Sequence, residues 1–253
     1  YCKKKKLKDS LGRIFKDNWQ TFNSNTYQYG SEADSFCYDN ELPIGQIQIN
    51  PFKLNSQLVT NREWREFIHE DGYNRPEFWF SDGWDYIKKN SISRPMYWLD
   101  DNYYFTLSGV SKILNNQPVS HISFYEADAF CRYKNKRLPT EFELELALKK
   151  NIKRGNFLDN KIFEPSLIQS EKSSSFYGDL WNWTNSNYVP YKDYKPFKGI
   201  FSEYNGKFMC NQFVLKGGSC VTPKEHLRAS YRNFYYPGDR WQFSGLRLAS
   251  DLN

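Results

Sequence analysis

The chain predicts an α+β fold with few helices, short strands and much irregular structure. Three observations carry that expectation. Only three stretches show the 3.6-residue apolar stripe of a helix, while the rest alternates briefly between breaks at Pro, Gly and Asn. The 8 Trp, 19 Tyr and 20 Phe offer large faces for burial in a loop-rich chain, with polar ends on Tyr and Trp that can meet a ligand. At 253 residues, with 39 % hydrophobic and 25 % charged, the chain is globular and long enough for a substantial core.

Residues 1–16 read as a basic lead-in or linker, because Lys3 to Lys6 and Lys8 concentrate five positive charges there. Most of the formal net charge of +6 is thereby confined to one end. No basic face is left for phosphates, so no nucleic acid is expected as partner. Residues 17–253 are expected to form one domain, since no repeat or linker divides them. "FCYDNELPIGQIQINPFKLN" reads as short strands, with Ile44, Ile47 and Ile49 near alternate positions. "VTNREWREFIHEDGY" is a helix capped by Thr60 or Asn61, striped by Trp64, Phe67 and Ile68 and stopped at Gly72. Ser123 and Glu126 form an S-x-x-E capping box for a second helix that carries Ala127, Phe130 and Cys131 on one side. Thr140 caps a third in "PTEFELELALKK", where Glu141 and Glu143 suit the positive helix end.

The chemistry-bearing residues exclude several classes. His69, His121 and His226 are too far apart in sequence to place two imidazoles on one helical face, so no metal site is expected in this chain. His121, between Val119 and Ile122, reads as a hydrogen-bonded core histidine. The five cysteines include no C-x-x-C pair, and Cys220 after Gly217 and Gly218 has no neighbouring base, which marks a buried structural thiol in a cytoplasmic protein. No apolar run approaches the roughly 20 residues of a membrane span, and no membrane partner is expected. Two stretches remain. "EYNGKFMCNQFVLKGGSC" (203–220) leads a polar loop through an apolar run to Gly-Gly. "LRASYRNFYYPGDRWQFSGLRL" sets Arg228, Arg232, Arg240 and Arg247 among Tyr231, Phe234, Tyr235, Tyr236 and Trp241. Arginine forks suit carboxylates and aromatic faces suit cations, as an amino-acid or betaine pocket needs. Internal salt bridges and core filling would use the same residues, and composition leaves both readings open.

In order, "LVTNREWREFI", "PVSHISFYEADAFCRYKNKRLPTEFELE", "YGDLWNWTNS", "VLKGGSC" and "RNFYYPGDRWQFSGLRL" resemble the formylglycine-generating-enzyme (sulfatase-modifying-factor) family, from about Trp19 to Asp251. The resemblance implies that family's C-type-lectin-like fold. "FCYDNELP", "PEFWFSDGW" and "EYNGKFMCNQFVLKGGSC" are most similar to the C-terminal half of ergothioneine- and ovothiol-biosynthesis sulfoxide synthases. These are non-heme iron oxidoreductases that use iron(II) and oxygen to join a thiol to a histidine derivative. The formylglycine-generating branch carries a copper-binding cysteine pair beyond its Gly-Gly-Ser, where this chain has Cys220 alone.

The resemblance implies roles residue by residue. Tyr204 is the catalytic proton donor, with Phe201 where some relatives carry another tyrosine and with Tyr188 or Tyr191 as the fallback phenols. Asn233 to Trp241 form a substrate wall: Phe234 and Tyr235 enclose an ammonium group, Arg240 holds a carboxylate, and Asn233 and Trp241 complete it. Relatives that take γ-glutamylcysteine have an acidic residue where this chain has Tyr235, which points to another thiol such as free cysteine. In those synthases a DinB-like helical bundle holds the iron through three histidines. It is absent here, so iron(II) is expected from another domain or chain. The alternative is a non-catalytic ligand- or protein-binding domain that keeps the fold without the iron chemistry.

Overall fold

The computed structural model describes residues 18–32, 34, 36–166 and 175–252, and the expected lead-in at 1–16 lies outside them. The chain starts with strands β1 (Trp19–Phe22) and β2 (Asn25–Tyr29), then β3 (Gly45–Ile49) and β4 (Phe52–Asn55). Helix α1 (Asn61–His69) is closed by a capping box between Thr60 and Glu63, and it buries Trp64 and Phe67 completely. Helix α2 (Ser81–Lys89) was not expected from the sequence. It lacks a side-chain cap, and only Gly83 and Ile87 are buried, so its apolar stripe is too thin to register.

Strands β5 (Tyr103–Thr106) and β6 (Gly109–Lys112) form a hairpin. Helices α3 (Phe124–Tyr133) and α4 (Glu141–Lys150) each begin with the expected cap, Ser123 with Glu126 and Thr140 with Glu143. Ala127, Phe130 and Cys131 are fully buried on α3, as the stripe predicted. The last strands are β7 (Trp181–Asn187), β8 (Phe213–Lys216), β9 (Asn233–Tyr235), β10 (Ser244–Gly245) and β11 (Ala249–Asp251). One sheet runs β1-β4-β11, another runs β10-β7-β8-β9, and β2-β3 and β5-β6 stand as pairs.

A single apolar cluster joins these layers, from Phe52 and Leu54 of β4 through Trp64, Phe67 and Phe130 of α1 and α3 to Trp183 and Leu215 of the second sheet. Trp64 stacks on Phe130 with centroids 4.9 Å apart, and the Trp183 indole donates to the Ile122 carbonyl at 2.9 Å. Aromatic residues thus do most of the filling, each satisfying its polar end when buried. The second sheet positions the site, because β9 is its edge and pairs only with β8, Val214 opposite Phe234.

The Gly-Gly pair after β8 is a turn. Gly217 has φ 99° and Gly218 has φ 80°, and the Gly217 carbonyl receives the Gly178 amide at 2.8 Å. A Cβ on Gly217 would stand 2.9 Å from the Phe176 carbonyl oxygen, which is backbone and cannot step aside cheaply. Gly217→Ala is therefore expected to lower stability by about 1–3 kcal/mol, read as a reduced urea midpoint at unchanged slope.

Candidate functional site

Beyond the edge strand β9 lies a cleft of about 810 Å³. Its walls are rings held against one another. Phe234 stacks on Tyr188 at 4.1 Å between centroids, Phe208 lies 5.7 Å from Phe234, and Tyr204 meets Phe208 edge-on at 5.4 Å. Tyr235 meets Trp241 edge-on at 5.3 Å. Tyr204 sits in the loop before β8, where a short 3-10 turn (Gly206–Phe208) folds Phe208 back over β9. That loop is polar at its start because it covers a cleft and leaves Tyr204 55 % exposed.

The buried margin of the cleft is polar and comes from three distant segments. Asp39 accepts from the Asn205 amide at 2.5 Å, the Tyr194 phenol at 3.1 Å and the Phe197 N–H at 3.3 Å. Burial and that carboxylate push the Tyr194 phenol up to about 12. The Asn40 amide donates to the Tyr188 hydroxyl at 2.8 Å and to the Arg232 carbonyl at 3.3 Å. A carbonyl only accepts, so this contact fixes which end of the amide is nitrogen, and the Asn40 oxygen is left buried with no donor. Beneath them the Arg232 guanidinium donates from Nε to Glu141 at 2.8 Å and from Nη1 to the Asn40 carbonyl at 3.0 Å. Glu141, expected to serve the helix end, is thus the partner of a buried arginine.

Five of the six expected site residues line this cleft: Tyr204, Asn233, Phe234, Tyr235 and Trp241. Arg240 does not, and the expectation that it holds a substrate carboxylate needs correction. Its Nη2 donates to Glu126 at 3.0 Å and to the Arg94 carbonyl, and its Nε lies 2.9 Å from the other Glu126 oxygen. The same segment's other arginines also turn inward: Arg228 to Glu41, Arg232 to Glu141, and Arg247 to the Ser56 and Ser175 carbonyls. Between the two readings left open by composition, the arginines follow the internal one and the aromatics follow the pocket. The sequence showed Glu126 as a cap and gave no sign that its carboxylate also faces Arg240, 114 residues away.

The fallback phenols are enclosed. Tyr188 bonds Asn40 and Asn205, Tyr191 bonds Glu141, and burial raises both above the usual phenol range. Tyr236, named among the pocket aromatics, also lines the cleft, as do Asp39, Asn40 and Asp239, which sequence reasoning did not single out. The quoted stretch "FCYDNELP" contained Asp39 and Asn40, but nothing local marked their direction. Asn233 accepts the Phe234 N–H at 3.0 Å, and burial with Asp239 nearby raises the Tyr235 phenol.

The donor set does not fit a resident iron. Among the described residues no three of His, Cys, Asp and Glu come together as metal ligands. His69 is exposed at the end of α1, and His226 faces the Tyr231 hydroxyl at 3.3 Å. His121 is buried between Tyr97 and Phe243 with Nδ1 3.2 Å from the Trp241 carbonyl, and burial lowers it to about 4. Cys220 is buried, and burial raises its thiol, so it is not a ready nucleophile. No described helix is long and apolar enough to cross a membrane.

The family model for the sulfatase-modifying factor enzyme 1-like domain matches residues 22–174 and 174–252. The chain is 30 % identical over 242 residues to hercynine oxygenase of Mycolicibacterium smegmatis, covering 85 % of this chain and 56 % of that one. It is 24 % identical over 251 residues to ergothioneine biosynthesis protein 1 of Schizosaccharomyces pombe, covering 92 % and 30 %. It therefore spans about half the length, or less, of these relatives. Among solved structures, PvdO from Pseudomonas aeruginosa superposes with a TM-score of 0.59 at 14 % identity, over 92 % of this chain and 94 % of that one, which speaks for the fold alone. With its few helices, its many short strands and the family match along nearly all the described residues, the chain belongs to the sulfatase-modifying factor enzyme 1-like (formylglycine-generating-enzyme) family.

Proposed function

We propose that this chain is the substrate-binding and proton-donating part of an iron(II)- and oxygen-dependent sulfoxide synthase that joins a small thiol, such as cysteine, to a histidine derivative. One observation carries the reading: five residues spread over 38 positions, Tyr204 to Trp241, converge on one aromatic cleft that leaves the Tyr204 phenol exposed. The names of the two relatives, a hercynine oxygenase and an ergothioneine biosynthesis protein, favour a histidine betaine as the ligand.

In this reading Phe234, Tyr235 and Trp241 surround the ligand's ammonium group with aromatic surface, and Asn233 lies beside Phe234 on β9. Tyr204 keeps a proton at its hydroxyl, on the edge of the cleft where reacting atoms enter. Oxygen activation belongs to a metal carried by another domain or chain, because the donors here do not fit one.

The test joins this chain to the region of a hercynine oxygenase that it does not match, then supplies iron(II), hercynine, cysteine and air. A sulfoxide product found by mass spectrometry is expected. Hercynine binding without any product under conditions where the parent enzyme turns over would favour the non-catalytic binding domain instead.

A further inference from the structure

We infer that the cleft selects ligands of net positive charge and gives a ligand carboxylate no cationic anchor, with Asp239 contributing to the preference. This rests on the reading of the same cleft as the site for a histidine betaine, and it narrows what that site accepts.

The charges on the lining carry the argument. Among the described residues two carboxylates line the cleft, Asp39 and Asp239, and the one cationic side chain there, Arg232, is committed to Glu141. Among the described residues no salt bridge reaches either aspartate. Asp39 meets three neutral donors, and Asp239 accepts the Tyr236 N–H at 3.1 Å. Burial raises the Asp239 carboxyl, as expected of an acid that lacks a cationic neighbour.

The neutral surfaces point the same way. Phe234, Tyr235 and Trp241 line the cleft, and aromatic faces attract cations and repel anions. Asn40, 2 % exposed, is uncharged and brings no cation to the cleft margin. Arg240, which sequence reasoning gave the carboxylate, is turned away onto Glu126. A zwitterion can still bind, but its negative end meets no uncommitted cation among the described lining residues and feels the field of two aspartates. Removing that negative charge should therefore tighten binding.

Titration calorimetry of the full chain at low salt, with hercynine and with hercynine methyl ester, tests this. The ester keeps the ring and the trimethylammonium and loses only the carboxylate charge. It is expected to bind about fivefold more tightly, the size of one charge interaction at several ångströms in a partly wet site. Asp239→Asn keeps an oxygen for the Tyr236 N–H and should lower the ratio toward one, with Asp39 still acting, and Asp239→Lys should invert it. Circular dichroism confirms that each variant is folded. Hercynine binding as tightly as the ester, or a ratio unchanged in Asp239→Asn, would overturn the inference and leave the proposed function standing. Failure of both ligands to bind at millimolar concentration would remove the binding site itself, and both readings with it.

Discussion

Tyr204→Phe is expected to fold and bind ligand like the parent while losing about 10²–10⁴-fold in turnover once an iron-bearing region is supplied. The substitution removes one hydroxyl and keeps the ring that meets Phe208. Among the described residues no side chain hydrogen-bonds that hydroxyl, and the residue is more than half exposed, so stability has little reason to change. The other phenols in reach are poor substitutes. Tyr188 is 1 % exposed and bonded to Asn40 and Asn205, and Tyr191 is held on Glu141. Tyr236 is the informative control, since it is exposed and lines the same cleft. Tyr236→Phe should keep most of the turnover. Unchanged turnover in Tyr204→Phe together with a collapse in Tyr236→Phe would move the proton donor by one wall of the cleft.

Arg240→Ala should act on stability, with a loss of about 3 kcal/mol, the lower part of the range for breaking a buried ion pair from one side. The reason is the charge left behind. Glu126 is fully buried, and although Tyr73 donates to it at 2.7 Å and the Ser123 N–H and hydroxyl at 2.8 Å, all three are neutral. Those donors keep the cost from the top of the range. For a chain of this size the loss corresponds to roughly 10 °C in Tm. Calorimetric melting of parent and variant reads it directly. An Arg240→Ala protein of unchanged stability that binds hercynine several-fold more weakly would return this arginine to the substrate carboxylate, and would count against the cation-selective cleft as well.

The local signals in the sequence were reliable where one element decided the outcome. The capping box at Ser123 and the cap at Thr140 need only nearby residues, and both formed. Of the stripe Trp64, Phe67 and Ile68, which needs only a helical period, the first two are buried and Ile68 is half-buried. Helix α2 escaped because "SDGWDYIKK" buries little and has no cap, so its helix is stabilised by packing that local pattern does not express. The site was legible as a list of residues and not as an arrangement. Resemblance placed Tyr204 in a cavity-lining loop and Asn233, Phe234, Tyr235 and Trp241 in the adjacent wall, and all five line the cleft. It could not say which way Arg240 points.

What the sequence determined by itself was the family, the fold class, the caps and the aromatic supply, all of which depend on residue type and short spacing. What only the tertiary structure decided was the pairing of charges. Glu41, Glu126 and Glu141 lie 187, 114 and 91 positions from Arg228, Arg240 and Arg232. An arginine near a pocket is drawn to whichever carboxylate the folded chain brings within reach, because a buried guanidinium without a partner is costly. Three internal glutamates took the arginines, and Asp39 and Asp239 kept the cleft.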